Sequence, residues 1–321
     1  MALPIRDVIG ILADNLDRRG SVIPLSMRQT TGWADGLKIP FGGETVIYTG
    51  LMYQLIPSIE ALAGWMEKFE GSWISRFIGL GRAVNRVINL SWFLLAGRPE
   101  EQKKYDGMLH DIARLLMTAG VKFGYLYGKE LYSGALLYDE GVDDVFVRHA
   151  RRVYRIFKDN GVKHVITLDP HTTDMLKTVY PKFISGYDLE VKSYLEVLAE
   201  RDLQCASKLD GDVVIHDSCV YARYDGIIDQ PRSLLANAGL KLPEPELSGR
   251  LTHCCGGPLE SLFPGKARQV ASKRAGQLAE CGQQVVAMCP ICLANLKRAA
   301  DSSVEISDIS RFLARAYCPM D

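Results

Sequence analysis

The chain has 321 residues, 47% of them hydrophobic and 24% charged, which is enough for one large domain or two average ones with full cores. Lys and Arg together number 38, as do Asp and Glu, so the formal net charge is zero and no global field favours nucleic acid or an anionic membrane. The longest apolar run, at 87–96, has about half the length of a membrane span.

The distribution of the eight cysteines argues against a disulfide scaffold. None precedes Cys205, and residues 1–16 lack the basic start and long apolar run of a secretory signal. We therefore expect a cytoplasmic protein whose thiols stay reduced and serve as metal ligands or catalysts.

The first part of the chain is predicted to be an arm followed by mostly helical segments. The first forty residues are interpreted as an N-terminal arm, helical over 5–16 and extended beyond it because two prolines and several turn formers follow. A short buried strand at 46–48 precedes a helix at 52–69, and residues 70–122 are mostly helical, with an amphipathic helix at 100–118. This helical stretch is either a hairpin packed on its own core or a docking surface for a partner.

From residue 124 onward, strands alternate with helices in a pattern typical of a parallel sheet covered on both faces. The predicted elements are, in chain order, a helix at 145–160, a strand at 162–168, a helix at 171–180, an extended pair at 183–184, a helix at 189–201, a strand ending at 216, a helix at 228–238, a strand at 250–253, a helix at 266–280, a strand at 284–288, a helix at 291–300, an extended segment at 304–306 and a helix at 307–316.

The order of elements in the second half repeats that of the first, and the letters align. DPHTTDMLK at 169–177 aligns with CPICLANLK at 289–297, and YTGLMY at 48–53 takes the place of HDSCVY at 216–221. We therefore predict an α/β fold of two tandem units with mainly parallel sheets, related by a pseudo-twofold axis. The predicted domains are the arm at 1–40, a first unit at 41–205 with a helical insertion at 70–122, and a second unit at 206–321.

Five cysteines of the second unit form a C…CCG…CPxC pattern at Cys219, Cys254, Cys255, Cys289 and Cys292. Each follows a predicted strand or begins a helix, at the edge where α/β sheets bind ligands and where helix N-termini stabilise thiolates. Thiolate-only sets suit zinc or iron–sulfur clusters, and five thiols are one more than tetrahedral zinc requires, so an iron–sulfur cluster is favoured. Zinc and a thiol redox pair in CPIC remain alternatives.

The first unit aligns a different residue type with each of these cysteines. In the order of the cysteines, the aligned residues are Leu51, Tyr132, Ser133, Asp169 and Thr172. The sequence thus predicts one cluster site in a cleft between the units, with these five residues and His171 as the opposing wall.

The pattern C…CCGGPLE…MCPICLANLK resembles the cysteine-rich CCG domain of heterodisulfide reductase catalytic subunits of the B and D types. It is also similar to related iron–sulfur subunits of glycerol-3-phosphate and lactate oxidation. The resemblance covers about residues 40–317 as a tandem of two CCG domains, the first without its cysteines. It implies that the five cysteines hold one non-cubane [4Fe–4S] cluster. The B-type subunit carries two complete motifs, so a one-cluster variant is expected here.

The activity implied by this resemblance is that of an oxidoreductase subunit that exchanges electrons with a disulfide, thiol or sulfur-carrier substrate. Because the chain lacks a ferredoxin-type CxxCxxCxxxCP run, we expect a ferredoxin-like [4Fe–4S] partner. A flavin subunit, or a membrane subunit that holds the complex at the inner face of the membrane, completes the expected set. The alternatives are an electron-transfer subunit of a lactate- or glycerol-3-phosphate-type dehydrogenase and a zinc-holding scaffold without catalysis.

Three histidines lie near the predicted ligands. His216 and His253 flank them in sequence, and His171 falls in the aligned copy of CPIC. Each is interpreted as a group that handles protons, or as one that orients a ligand or caps a turn. Asp169 is expected to cap the helix that begins at His171.

Overall fold

The strands form two separate parallel sheets, one in each half of the chain. A computed structural model describes residues 5–69 and 99–319, and the α/β class predicted from the sequence is confirmed. The strands are β1 (Thr45–Tyr48), β2 (Gly124–Tyr125), β3 (His164–Thr167), β4 (Glu190–Ser193), β5 (Val214–His216), β6 (Gln284–Ala287) and β7 (Glu305–Asp308). The first sheet has the order β2-β1-β3-β4 and the second the order β5-β6-β7, with every pairing parallel.

Helices connect the strands and cover the sheets. They are α1 (Ile5–Arg19), α2 (Met27–Thr31), α3 (Met52–Phe69), α4 (Pro99–Thr118), α5 (Ala135–Asp139), α6 (Asp143–Asp159), α7 (Pro170–Asp174), α8 (Tyr180–Phe183), α9 (Tyr194–Ala199), α10 (Asp229–Asn237), α11 (Pro264–Ala279), α12 (Pro290–Ala299) and α13 (Ile309–Tyr317). Two π-helical turns, Met175–Val179 and Tyr221–Asp225, and four short 3₁₀ segments complete the described elements.

Local sequence signals set several of these boundaries. Asp169 caps α7, as predicted, because its Oδ1 accepts a hydrogen bond from the Thr172 N–H at 3.0 Å. At the end of α6 the chain turns through Gly161, whose φ of +70° lies in the left-handed region that favours glycine. Residues of β1, β3 and β6 are buried from their second position onward, which matches their short apolar runs.

Aligned positions of the two halves have the same backbone geometry. Gly134 and Gly256 have φ of 85° and 81°, and each precedes a short helical segment. Asp169 and Cys289 are both extended residues at a helix N-terminus, followed in each case by proline. These correspondences support the duplication inferred from the letters.

The prediction for the last strand of the first unit was wrong. The extended pair expected at 183–184 begins within α8, and the strand lies at β4, which had been assigned to a helix. In β4 burial alternates along the strand, and Ser193 together with Glu196 forms a capping box that delays the helix until Tyr194. The alternation is short, and it is followed directly by helix-forming residues that hide it in the sequence.

Two further elements differ from the sequence prediction. The strand expected at 250–253 is a 3₁₀ turn, Gly249–Leu251, so the second sheet lacks a counterpart of β2 among the described residues. The arm is not extended throughout, because Ser26 caps α2 and a 3₁₀ turn follows it. Trp33 in that turn is 2% exposed and anchors the arm in the core.

Helices α3 and α4 pack against the second half of the chain. α4 packs against α3 and α13, and α3 also contacts α11 and α12. The apolar face of α4, which includes Leu109, Ile112 and Leu116, is buried in a core shared by both halves. This part of the predicted insertion packs on the protein's own core, while its remainder at 70–98 lies outside the described residues. Within 5–69 and 99–319, no helix combines the length and apolar composition needed to cross a membrane.

Candidate metal centre

The five motif cysteines converge beyond the carboxyl ends of β5 and β6. Cys219 lies three residues after β5, in the first turn of the helix that continues into the Tyr221–Asp225 π-turn. Cys289 follows β6 and begins α12, and Cys292 lies in the first turn of that helix. Cys254 and Cys255 approach from the loop before the 3₁₀ turn Gly257–Leu259. The carboxyl edge of a parallel sheet is therefore the platform on which three segments meet.

The thiols form a continuous row. Cys254 interacts with Cys219 on one side and Cys255 on the other, and Cys255 in turn interacts with Cys292. Cys292 interacts with Cys289, which ends the row. The site has an inner and an outer end, since Cys255, Cys289 and Cys292 are buried, whereas Cys219 and Cys254 are partly exposed.

Crowding divides the thiols into two groups of opposite pKa shift. Donation from Cys219 and Cys255 lowers the pKa of Cys254 to about 2, against the effect of burial. The same contacts, together with burial, raise the pKa of Cys219 and Cys255. Contacts with Cys255 and Cys289 likewise raise the pKa of Cys292. Five thiolates cannot coexist here without positive charge, because like charges at this spacing repel and burial penalises each of them.

One residue of the first half reaches the row directly. Nδ1 of His171, in the first turn of α7, lies 3.8 Å from Sγ of Cys289. Burial opposes protonation of His171, but Cys289 together with Asp139 and Asp169 outweighs it and raises the pKa to about 9. For the Cys289 thiol, burial opposes ionisation, yet Cys292 and His171 hold its pKa well below the usual range. The carboxyl ends of β3 and β6 thus meet at an imidazolium–thiolate contact.

The other residues of the predicted wall are fully buried. Leu51 and Tyr132 belong to the hydrophobic core of the first half. Ser133 Oγ, Asp169 Oδ2 and Thr172 Oγ1 are buried without a hydrogen-bond partner among the described residues. Burial raises the pKa of Asp169 to about 7. The first half therefore places oxygen atoms, rather than sulfur atoms, at the positions aligned with Cys255, Cys289 and Cys292.

His216 and His253 occupy different surroundings. One ring nitrogen of His216 and the sulfur atoms of Cys255 and Cys292 all lie within 4.8 Å of one another, and all three residues are buried. Burial and the adjacent Arg274 guanidinium lower the pKa of His216 to about 3, so its imidazole is neutral. His253 is partly exposed, and its Nδ1 donates to the carbonyl of Cys254 at 3.0 Å, which holds the CCG loop.

Sequence reasoning missed Arg274, whose side chain is completely buried beside His216. Arg274 shares a face of α11 with Ala267, Ala271 and Leu278, all of which are buried. The helical spacing of those residues is the signal that could have revealed it, because a basic residue within an apolar stripe requires buried partners.

Close packing fixes the CCG and CPIC loops against each other. A Cβ added to Gly256 would lie 2.4 Å from the backbone oxygen of Ala267, and one added to Gly257 would lie 2.5 Å from Cγ2 of Ile291. The backbone N–H of Gly256 points to Sγ of Cys254 at 3.3 Å. Ile291 also packs against the hydrophobic cores of both halves, so it seats the CPIC turn between them.

An ion-pair network holds the loop that precedes the CCG motif. Both oxygens of Asp217 accept hydrogen bonds from Arg232, at 2.7 and 2.9 Å, and Oδ2 also accepts from the Gly249 N–H at 2.7 Å. Arg232 binds Glu244 with its remaining donors. Thr252 Oγ1 donates to the backbone oxygen of Asp217 at 3.0 Å. The loop is therefore tied to the end of β5, next to Cys219.

Comparison with known proteins places this site in a defined domain class. Residues 213–297, which include all five cysteines, match the family model described as a cysteine-rich domain, CCG. The second half of the chain carries a CCG domain, and the chain is distantly homologous to the D-type catalytic chain of heterodisulfide reductase and to iron–sulfur oxidoreductases. The family expectation from the sequence is confirmed.

Three curated relatives illustrate the similarity. A probable iron–sulfur-binding oxidoreductase of Bacillus subtilis, FadF, is 32% identical over 222 residues, which cover 65% of this chain and 31% of the relative. An EtfAB:quinone oxidoreductase of Syntrophomonas wolfei is 28% identical over 79% of this chain and 37% of its own length. The D-type subunit of the dihydromethanophenazine:CoB–CoM heterodisulfide reductase of Methanosarcina mazei is 28% identical over 64% of this chain and 54% of its own length. The chain thus spans about a third to a half of these proteins.

Proposed function

We propose that this chain is the iron–sulfur redox subunit of a heterodisulfide-reductase-like complex and holds one non-cubane [4Fe–4S] cluster with Cys219, Cys254, Cys255, Cys289 and Cys292. The observation that carries the proposal is the continuous row of five thiols beyond β5 and β6. In this assignment residues 206–321 form the cluster-binding domain, and residues 41–205 form a cysteine-free companion that closes the other side of the cleft.

The donor set fits a cluster better than a single zinc ion. Tetrahedral zinc uses four ligands, so one of five adjacent thiols would be left over in a crowded, partly buried site. A cluster contains several iron ions, which can accept more sulfur ligands and supply the positive charge that the thiolates require. The N-terminus of α12 adds a favourable field, because its first backbone N–H groups point toward Cys289 and Cys292.

The exposure of Cys219 and Cys254 suggests how a substrate approaches. A sulfur substrate would enter at this outer end, since the inner thiols are sealed by Ile291 and the cores of both halves. Reduction of a disulfide consumes two electrons and two protons and yields two thiols, and oxidation of the thiols reverses this. A bound cluster supplies electrons one at a time. His171 holds a proton at the Cys289 end of the row.

Electrons must come from or go to partner subunits. The proposal includes a ferredoxin-like [4Fe–4S] partner and either a flavin subunit or a membrane subunit at the cytoplasmic face. The names of the relatives support electron exchange within larger assemblies, because one is an EtfAB:quinone oxidoreductase and another is the D-type subunit of a heterodisulfide reductase.

A second candidate function is electron transfer without a sulfur substrate, as in a subunit of an organic-acid dehydrogenase. The match over 79% of this chain to a relative named as an EtfAB:quinone oxidoreductase favours it. The same five cysteines would then hold a cluster that passes electrons between partners. Only the response of the cluster to thiols separates the two candidates.

Anaerobic purification followed by iron, zinc and acid-labile sulfide analysis tests the cluster. We expect about four iron atoms per chain, the number in a [4Fe–4S] cluster, and a loss of iron in Cys255→Ser. Cys205→Ser, which changes a partly buried thiol outside the row, is the matched control and should retain its iron. Zinc in place of iron, or iron unaffected by Cys255→Ser, would contradict the assignment.

The substrate is tested with EPR spectra of the oxidised and reduced protein. Spectra are compared with and without 2-mercaptoethanol and its disulfide. A spectral change that depends on either compound supports a sulfur substrate. Spectra that do not respond favour electron transfer between partners alone.

A further inference from the structure

A buried arginine contacts the histidine that lies beside the inner cysteines. Arg274 Nε donates to Nδ1 of His216 at 3.2 Å. Its Nη1 donates to the Leu247 carbonyl at 3.0 Å, and its Nη2 lies 3.5 Å from Thr252 Oγ1. The guanidinium is thus held from three sides, and it aligns β5 with the loop before the CCG motif.

This contact determines which ring nitrogen of His216 carries the hydrogen. A guanidinium has donors and no acceptor, so Nδ1 of the imidazole must accept from it. In a neutral imidazole the hydrogen then resides on Nε2. Nε2 is buried and has no hydrogen-bond partner among the residues that the structure describes.

The surroundings of His216 indicate what the Nε2–H serves. His216 belongs to the buried group that it forms with Cys255 and Cys292. A buried N–H without a partner costs about 1–3 kcal/mol, so such a group in a native protein points to an acceptor that is bound there. Thiolates and cluster sulfides are acceptors, and a nitrogen that carries a hydrogen has no lone pair for a metal.

We propose that His216 donates its Nε2–H to a sulfur atom of the bound cluster and is not a metal ligand, and that Arg274 is the positioning residue that fixes this tautomer. The inference rests on the proposed function, because it requires a cluster at the five cysteines. It goes beyond that function by assigning His216 a role in setting the reduction potential. Hydrogen bonds to cluster sulfurs stabilise the more negative, reduced state and raise the potential.

Selective ¹⁵N-histidine labelling and long-range ¹H–¹⁵N correlation spectra test the tautomer directly. The chain has six histidines, and His149 provides an internal reference because its Nε2 donates to the Tyr132 carbonyl at 2.6 Å. We expect His216 to show a protonated Nε2 and an unprotonated Nδ1 in the cluster-free protein. In Arg274→Met, the signal should shift toward the Nδ1–H tautomer. Lys273→Met, which changes an exposed residue on the same helix, is the control.

Redox titration of the cluster-containing protein tests the role of the donor. His216→Leu should retain the wild-type iron content and shift the midpoint potential to a more negative value. His216→Gln offers an amide N–H and should fall between wild type and His216→Leu. If Arg274→Met fails to fold, these two variants still decide the question.

The outcomes separate this inference from the proposed function. Iron loss in His216→Leu, or an unprotonated Nε2 in the wild-type protein, shows that His216 is a ligand and overturns the inference while the cluster stands. An unchanged midpoint potential in His216→Leu also overturns it. A wild-type protein that takes up no iron overturns the proposed function, and the role of His216 toward a cluster falls with it.

Discussion

Tyr53 in α3 donates a hydrogen bond to Oδ2 of Asp308, which lies 2.9 Å away at the end of β7 in the other half of the chain. The relation is reciprocal, because the hydroxyl of Tyr221 lies 2.6 Å from Oγ of Ser193 at the end of β4. Tyr53 and Tyr221 are aligned residues in the repeat, and Ser193 and Asp308 both cap the helix that follows the last strand of their sheet. Each half thus contributes a tyrosine to the other, as expected for halves related by a pseudo-twofold axis.

Tyr53→Phe should destabilise the protein by about 1–3 kcal/mol, because it leaves a buried carboxylate oxygen of Asp308 without its donor. Urea unfolding measures this change. Tyr154→Phe is the matched control, since the Tyr154 hydroxyl binds Gly186 and Asp188 at the exposed surface. An equal effect of the two substitutions would contradict the importance of the contact between the halves.

Gly256→Ala should destabilise the protein more than Gly226→Ala and should lower iron uptake. Both glycines have φ in the left-handed region, where a side chain costs roughly 1–2 kcal/mol. Only at Gly256 would the added Cβ also collide with backbone, at the Ala267 oxygen, whereas the space around Gly226 is open. Thermal unfolding and iron analysis of the two variants provide the comparison. Equal losses would show that the CCG loop is not fixed by close packing.

His149→Gln should remove a pH dependence of stability that the wild-type protein shows in mild acid. Burial lowers the pKa of His149 to about 4, below the value of about 6.5 for an unfolded histidine. The unfolded state therefore binds more protons in this range, and the stability due to neutral His149 is complete above pH ~6.5 and is lost as the pH falls toward 4.

At about 1.4 kcal/mol per pKa unit, wild type should lose roughly 3 kcal/mol relative to His149→Gln between pH ~6.5 and 4. Urea unfolding at several pH values measures this difference. Burial raises the pKa of Glu130 and Asp169 to about 7, and these carboxyls are common to both proteins, so their effects cancel. A pH-independent difference would contradict the assignment of the effect to His149.

Asp217→Asn should destabilise the protein by about 3–5 kcal/mol. The Asp217 side chain is 1% exposed, and its removal as a charge leaves Arg232 half-paired in a loop that supports the cysteines. Asp188→Asn tests an exposed ion pair with Lys158 and should cost under about 1 kcal/mol. Chemical unfolding of the two variants checks the contrast, and a small effect at Asp217 would contradict the proposed support of the loop.

Much of the fold was predictable because its strands are short apolar runs that end in turn formers or motif residues. β1, β3 and β6 have this form. β4 was missed because EVKS has only two inward-facing residues and leads directly into a helix. The place of the N-terminal arm could not be derived either, because it depends on where Trp33 finds a partner; its ring packs on that of Tyr125 at 5.0 Å.

The sequence by itself determined the inventory of the site: five thiols in one half, their non-cysteine counterparts in the other, and a repeated order of strand, turn and helix. These follow from residue types and local spacing. Only the tertiary structure decided that His171 meets Cys289 and that Arg274 orients His216. Such contacts join residues distant in the chain, and their geometry depends on how the helices and sheets of both halves pack, which local spacing does not encode.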